Sequence, residues 1–267
     1  MSPVRTAAIA LRQFYLLRGS AARVLPLFAW VAIDIVLWGF LTKYLNSFVS
    51  SGFNFVPTLL GAVLLWDFFG RVMYGVTTAF LEDVWSRNLL NFFATPMTIP
   101  EYVGGLVLSS VATSFIGLVV MVLLAGAVFG LSFLSYGIAL LPFILVLFLF
   151  GIAMGIVACA IVLRVGPAAE WFIWPLPAVI SPFVGVFYPL STLPRWMQWI
   201  ARALPPSYVF ESVRGIVRGL GASWTGLTVS GLLALGYIAL AGLFFTGVFR
   251  HAVRTGLIAR FSAESVS

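Results

Sequence analysis

Few residues in this chain have chemistry to offer. Three ionisable side chains, Asp34, Asp67 and Arg71, stand inside long apolar stretches. An unpaired charge in lipid costs on the order of 2.5–3.5 kcal/mol on the insertion scale, so these groups must face protein or water. Asp67 and Arg71 are four residues apart, a spacing that permits an ion pair on one helical face. Two roles stand open for the three: a structural charge cluster, or the polar lining of a substrate path. A proton relay is disfavoured, because no histidine accompanies them within those stretches. The sole histidine, His251, lies among Arg250 and Arg254 in a basic tail. The sole cysteine, Cys159, sits in an apolar run and reads as a small buried hydrophobe. One Cys and one His can build neither an intrachain disulfide nor a Cys/His metal site. No HExxH, GxSxG or GxxxxGK[ST] pattern occurs, so no catalytic residue, metal site or phosphate loop is assigned.

The elements that carry these residues follow from composition. Of 267 residues, 62% are hydrophobic and 9% charged. Soluble domains run at roughly 45–50% apolar and about 25% charged. So few charges cannot cover a globular surface. A soluble enzyme, a nucleic-acid-binding domain and a disordered regulator are excluded as readings, and an all-α integral membrane protein of several spans is left. The net charge of +7 then points to basic loops on one membrane side rather than to nucleic acid.

A crossing helix needs about 20 apolar residues. Counting places spans at about 24–45, 56–80, 102–129, 138–163, 171–189 and 226–249 of a single transmembrane domain, 1–267. No charged residue occurs from Tyr102 to Leu163, too long a run for one helix, and the stretch Gly130–Gly137 divides it in two. The fifth span holds Pro175, Pro177, Pro182 and Pro189, so a broken or kinked helix is expected. Gly151 and Gly155 permit close helix approach, within the chain or between chains.

Residues 1–23 spread Arg5, Arg12, Arg18 and Arg23 along their length, unlike a signal peptide, which puts its charge first. Arg5 and Arg12 share a helical face, with Ile9 and Leu16 intruding on it. The segment reads as an interfacial helix or as a plain basic leader. Six spans put both termini on one side. With the termini inside, Arg5, Arg12, Arg18, Arg23, Arg87, Arg164, Arg250, Arg254 and Arg260 are cytoplasmic. Lys43, Arg195, Arg202, Arg214 and Arg218 are external, the smaller set, which favours this orientation.

Segment 190–222 is amphipathic and interrupted. Pro194 can open a helix with Trp196 and Trp199 at headgroup depth, Pro205 and Pro206 stop it, and Ser207 can cap a second helix. There Glu211, Arg214 and Arg218 form a charged stripe. The pair shapes an external gate, with Trp196, Trp199, Tyr208, Glu211 and Arg214 as its residues, or it is an ordinary anchoring loop.

The run VFYPLSTLPRWMQWIARALPPSYVFESVRGIVRG (Val186–Gly219) resembles the C-terminal signature of type-2 ABC exporter permeases, the transmembrane subunits that export nodulation factors, drugs and polysaccharides. EDVWSRNLLNFFATPMTIPEYVGG (Glu82–Gly105) is similar to that family's segment between spans two and three, with Asn91 where an acidic residue is common. The resemblance implies six transmembrane helices, an N-terminal interfacial helix, and short re-entrant external helices before the last span. It also implies a cytoplasmic coupling helix at 82–93, with Glu82, Asp83, Arg87, Leu89 and Leu90 docking on an ATPase; a simple polar connection is the other reading. Expected partners are a cytoplasmic ABC ATPase subunit, a second copy of the chain and membrane lipid, with no nucleic acid. ATP and Mg would be used by the partner, this chain binding no cofactor and not being an enzyme on its own. The implied location is the bacterial plasma (inner) membrane, multi-pass, with both termini cytoplasmic. The rival functions are an ion-driven secondary transporter and an intramembrane enzyme or assembly factor.

Overall fold

The computed structural model describes residues 2–48, 56–86 and 88–257, and no strand occurs among them. Helix α1 (Pro3–Arg18) is followed by α2 (Ala21–Phe48). A π-helical turn (Val56–Leu60) leads into α3 (Gly61–Trp85), and α4 (Leu89–Phe93) is a short helix before α5 (Ile99–Phe129). Then come α6 (Leu140–Val165), α7 (Glu170–Ile173), α8 (Leu176–Val184), α9 (Arg195–Ala203), α10 (Pro205–Val217) and α11 (Trp224–Arg254).

Five helices among the described residues are long and apolar enough to cross a membrane: Arg23–Phe48, Val56–Trp85, Ile99–Phe129, Leu140–Val165 and Trp224–Arg254. They coincide with five of the six expected spans and overrun each at one or both ends. The remaining one, 171–189, is α7 and α8, joined through Trp174 and Pro175. Pro175, Pro177 and Pro182 each lack the N–H that would continue the ladder. Residues 170–184 rise only about 22 Å at 1.5 Å each, short of a 30 Å hydrocarbon core. Ile173 and Val184 are buried in the core, while Trp171 is 82% and Phe172 77% exposed.

At the centre are α3 and α6, whose buried Leu64, Phe69, Val72, Met73, Phe143, Phe150 and Ala153 belong to one apolar core. The close approach depends on Gly151 and Gly155. A Cβ at 151 would lie 2.9 Å from Val72 Cβ, and one at 155 would lie 2.9 Å from the Met73 carbonyl. The small-residue spacing is thus spent inside the chain. Around this pair, α5 packs on α3 and α11 packs on α6, while α2 lies against α5.

The stretch 82–93 is not one continuous helix. Glu82–Trp85 is the last turn of α3, Ser86 caps it, and α4 starts anew at Leu89. The α3 helix can run past two consecutive carboxylates because each meets an arginine, as described below.

Candidate functional site

Among the described residues, the largest polar assembly lies where α1 meets the end of α3 and the start of α5. Asp83 is fully buried, and Arg12 reaches it from α1 at 2.6 Å. The Tyr102 hydroxyl of α5 donates to the other Asp83 oxygen at 2.7 Å. Beside it, Glu82 pairs with Arg23 at 3.3 Å. On α5, Glu101 accepts from the Thr98 N–H at 2.9 Å and from the Ser2 N–H at 2.6 Å. Arg5 lies 3.6 Å from Glu101 and also donates to the Pro96 carbonyl. Three acidic residues are therefore held by three arginines from the first 23 residues.

The amphipathicity of α1 explains how. Arg5, Ile9, Arg12, Gln13 and Leu16 face the protein, while Val4, Leu11, Phe14 and Tyr15 are exposed. Ile9 and Leu16 do not spoil the basic face; they seat it. Ile9 rests on the bare backbone of Gly105, where a Cβ would lie 2.5 Å from the Ile9 Cβ and 2.9 Å from the Thr6 carbonyl. Val4, Leu11, Phe14 and Tyr15 thus leave an apolar stripe on the outer face of α1.

Of the five residues expected to dock on an ATPase, Glu82 and Asp83 turn inward to arginines. Leu89 is buried, Leu90 lies in α4, and Arg87 lies outside the described residues. Arg12 caps the junction by lying over the Phe92 ring at 4.9 Å, and Phe92 in turn packs on Tyr102 at 5.6 Å. What faces outward is Asn91, Ala94, Thr95, Pro96 and Thr98. Sequence reasoning missed Arg12, Arg23, Glu101 and Tyr102 as functional candidates. One signal was available: Thr98-x-x-Glu101 is a capping-box pattern.

At the opposite end, α8, α9 and α10 fold into a corner. Its pivot is Gly185, with φ +67°, a left-handed conformation that favours glycine. Arg214 is only 6% exposed and donates to the Gly185 carbonyl at 2.7 Å. Glu211 Oε1 accepts from Arg214 at 3.0 Å and from the Leu190 N–H at 2.7 Å. The expected stripe of Glu211, Arg214 and Arg218 is thus divided: Arg218 is exposed while Arg214 points inward. On α9, Trp196 and Trp199 are exposed, and Arg202 stacks on the Trp199 ring at 5.0 Å. Tyr208 donates to the Arg202 carbonyl at 2.9 Å. Pro205 and Pro206 begin α10 rather than end α9, because residues at a helix start need no N–H partner. Ser207 lies inside that first turn, its hydroxyl 2.5 Å from the Ala201 carbonyl, and is not the cap.

Residues 20–217 match the profile of the ABC-2 type transporter family. The chain belongs to that family. It is an ABC transporter permease, a transmembrane subunit that is not itself catalytic. Among curated proteins, none matches the chain significantly.

Within the spans of the permease, the expected direct pair of Asp67 with Arg71 is not formed among the described residues; Asp67 Oδ2 is buried without a hydrogen bond. The two still interact electrostatically, and Asp34 also acts on Asp67. Arg71 is drawn aside into the space left by Gly117 on α5, where a Cβ would lie 2.6 Å from Arg71 Cδ and 2.7 Å from its Nε. Ser114, one turn away on α5, is fully buried. The three ionisable groups thus form a loose cluster among α2, α3 and α5.

Proposed function

We propose that this permease is the membrane-spanning half of an ATP-driven exporter whose ATPase is a separate chain. It moves an amphiphilic, glycan or drug-like substrate out of the cytoplasm or the inner leaflet by alternating access. The working unit is two permeases with two ATPases, in the bacterial inner membrane, with both termini cytoplasmic. The α7–α8 segment, too short to cross alone, is the helical part of a sixth crossing that residues 166–169 and 185–189 complete, and α9–α10 forms the external gate.

The observation that carries this reading is the junction of α1, α3 and α5. Its carboxylates are matched by arginines from α1 and the start of α2, so it behaves as one rigid block. The block presents the exposed Asn91, Ala94, Thr95, Pro96 and Thr98 at the proposed cytoplasmic side. A push on these residues reaches α3 and α5 together, which is what coupling to an external motor requires. The absence of a phosphate loop from the sequence fits an ATPase supplied in trans.

The test is purification of the full chain from its native membrane. A nucleotide-binding ATPase should co-purify, and Thr95→Arg together with Asn91→Arg should reduce its recovery at least tenfold while permease yield holds. Transport that persists without any ATPase and stops with an uncoupler would replace this reading with that of a secondary transporter.

A further inference from the structure

At the α1 end of the bundle, away from the arginine block, a groove of about 340 Å³ runs between the ends of α6 and α11. Its walls are Leu243, Phe244, Gly247 and Val248 of α11, and its mouth is Arg164 of α6 with His251 of α11. The α11 residues fall at i, i+1, i+4, i+5 and i+8, one face of a helix. At Gly247 a Cβ would meet nothing within 4 Å, so the groove floor is open backbone. From Leu243 to His251 is about 12 Å along the axis. Half of a 30 Å hydrocarbon core is about 15 Å, so the wall matches most of one leaflet.

Among the described residues, no carboxylate meets the charge at the mouth. Arg164, Arg250, His251 and Arg254 are all exposed, and none forms an ion pair among the described residues. Among the described residues the acids of this end are committed elsewhere: Glu82, Asp83 and Glu101 to the N-terminal arginines, and Glu170 to the Trp174 indole N–H at 2.9 Å. A cationic rim over an apolar trough of leaflet depth is complementary to one class of molecule. We infer that this groove is a binding site for an anionic phospholipid, its phosphate held by Arg164 and His251 and one acyl chain lying along Leu243, Phe244 and Val248. Basic pockets between spans at a membrane surface recognise such headgroups. Assigning the site to the cytoplasmic leaflet rests on the proposed orientation; binding itself does not, so the two can fail separately.

Native mass spectrometry of the full chain, extracted in mild detergent with equal phosphatidylglycerol and phosphatidylethanolamine, tests this. Wild type should retain phosphatidylglycerol preferentially. Arg164→Gln with His251→Gln should weaken retention at least about fivefold, the loss that the one arginine charge accounts for. Gly247→Leu keeps every charge but fills the trough, and should weaken retention as well; it carries the test alone if the double variant does not fold. Arg195→Gln with Arg202→Gln, at the opposite end, should change nothing. Equal retention of the two lipids, or a preference that survives both groove variants or falls equally in the control, overturns the inference. Inorganic phosphate displacing the lipid as well as excess phosphatidylglycerol does, with Gly247→Leu without effect, overturns it in favour of a free-phosphate site.

Discussion

The two ends of this permease both use arginine against carboxylate, but they tie together different things. At the α1 end, Arg12 and Asp83 come from helices far apart in sequence, and Tyr102 brings in a third. At the other end, Arg214 and Glu211 sit on one helix at i,i+3, and their free valences go to backbone atoms of Gly185 and Leu190. The first arrangement locks helices to one another and can pass force among them. The second shapes a single corner. On the proposed function, the contrast assigns transmission to the α1 end and a separable lid to the α8–α10 corner.

The largest effect should come from the buried member of the transmission block. Removing one partner of a buried ion pair costs about 3–5 kcal/mol, because the other charge is stranded. Arg12→Met should therefore lower the thermal stability and membrane yield of the permease sharply. The exchange Arg12→Asp with Asp83→Arg should recover part of the loss. If Arg12→Met is as stable as wild type, the two ends do not differ as described.

At the corner, Arg214→Met removes donors to Gly185 and Glu211. Hydrogen bonds to charged groups contribute about 1.5–3 kcal/mol each, and Glu211 is partly exposed and can turn to water. The expected outcome is normal yield with protease cleavage appearing in 185–194. Loss of the whole fold would instead make the corner as integral as the block.

Next in size is Gly105→Val. The added atoms collide with Ile9 and the Thr6 carbonyl, and overpacking of this kind costs typically about 1–3 kcal/mol. Helix α1 should lift from α5 while the spans stay folded. A disulfide engineered between α1 and α5 should form readily in the parent and poorly in the variant.

Much of this architecture was legible in the residues. Long apolar runs reported the five full crossings, since backbone satisfaction in lipid leaves a helix as the only option for such a run. The prolines of 171–189 reported its break, and Pro194 with Pro205 and Pro206 reported two short helices. The partners of the charges were not legible. Nothing local to Asp83 says that it is buried, and its arginine lies in a different helix. Ile9 seemed a flaw in a basic face until Gly105 supplied the surface beneath it. Asp67 and Arg71 had the spacing of a pair, but the space at Gly117 drew the guanidinium away. Helix periodicity reports which face is apolar; it does not report what the neighbouring helix leaves vacant.

The smallest effect discriminates within the block. Arg23 and Glu82 meet at 3.3 Å with side chains 38% and 27% exposed. Water screens such a pair, and its contribution is about 0–1 kcal/mol. Salt at 1 M shortens the screening length to about 3 Å, so whatever the pair contributes should vanish there. Glu82→Gln should thus shift the unfolding midpoint slightly at low salt and not at all at high salt. Arg12→Met should remain destabilised at both, since no ion reaches a carboxylate as buried as Asp83. Equal salt sensitivity in the two variants would mean that water enters the block, and that α1 rides on a screened surface rather than on a locked one.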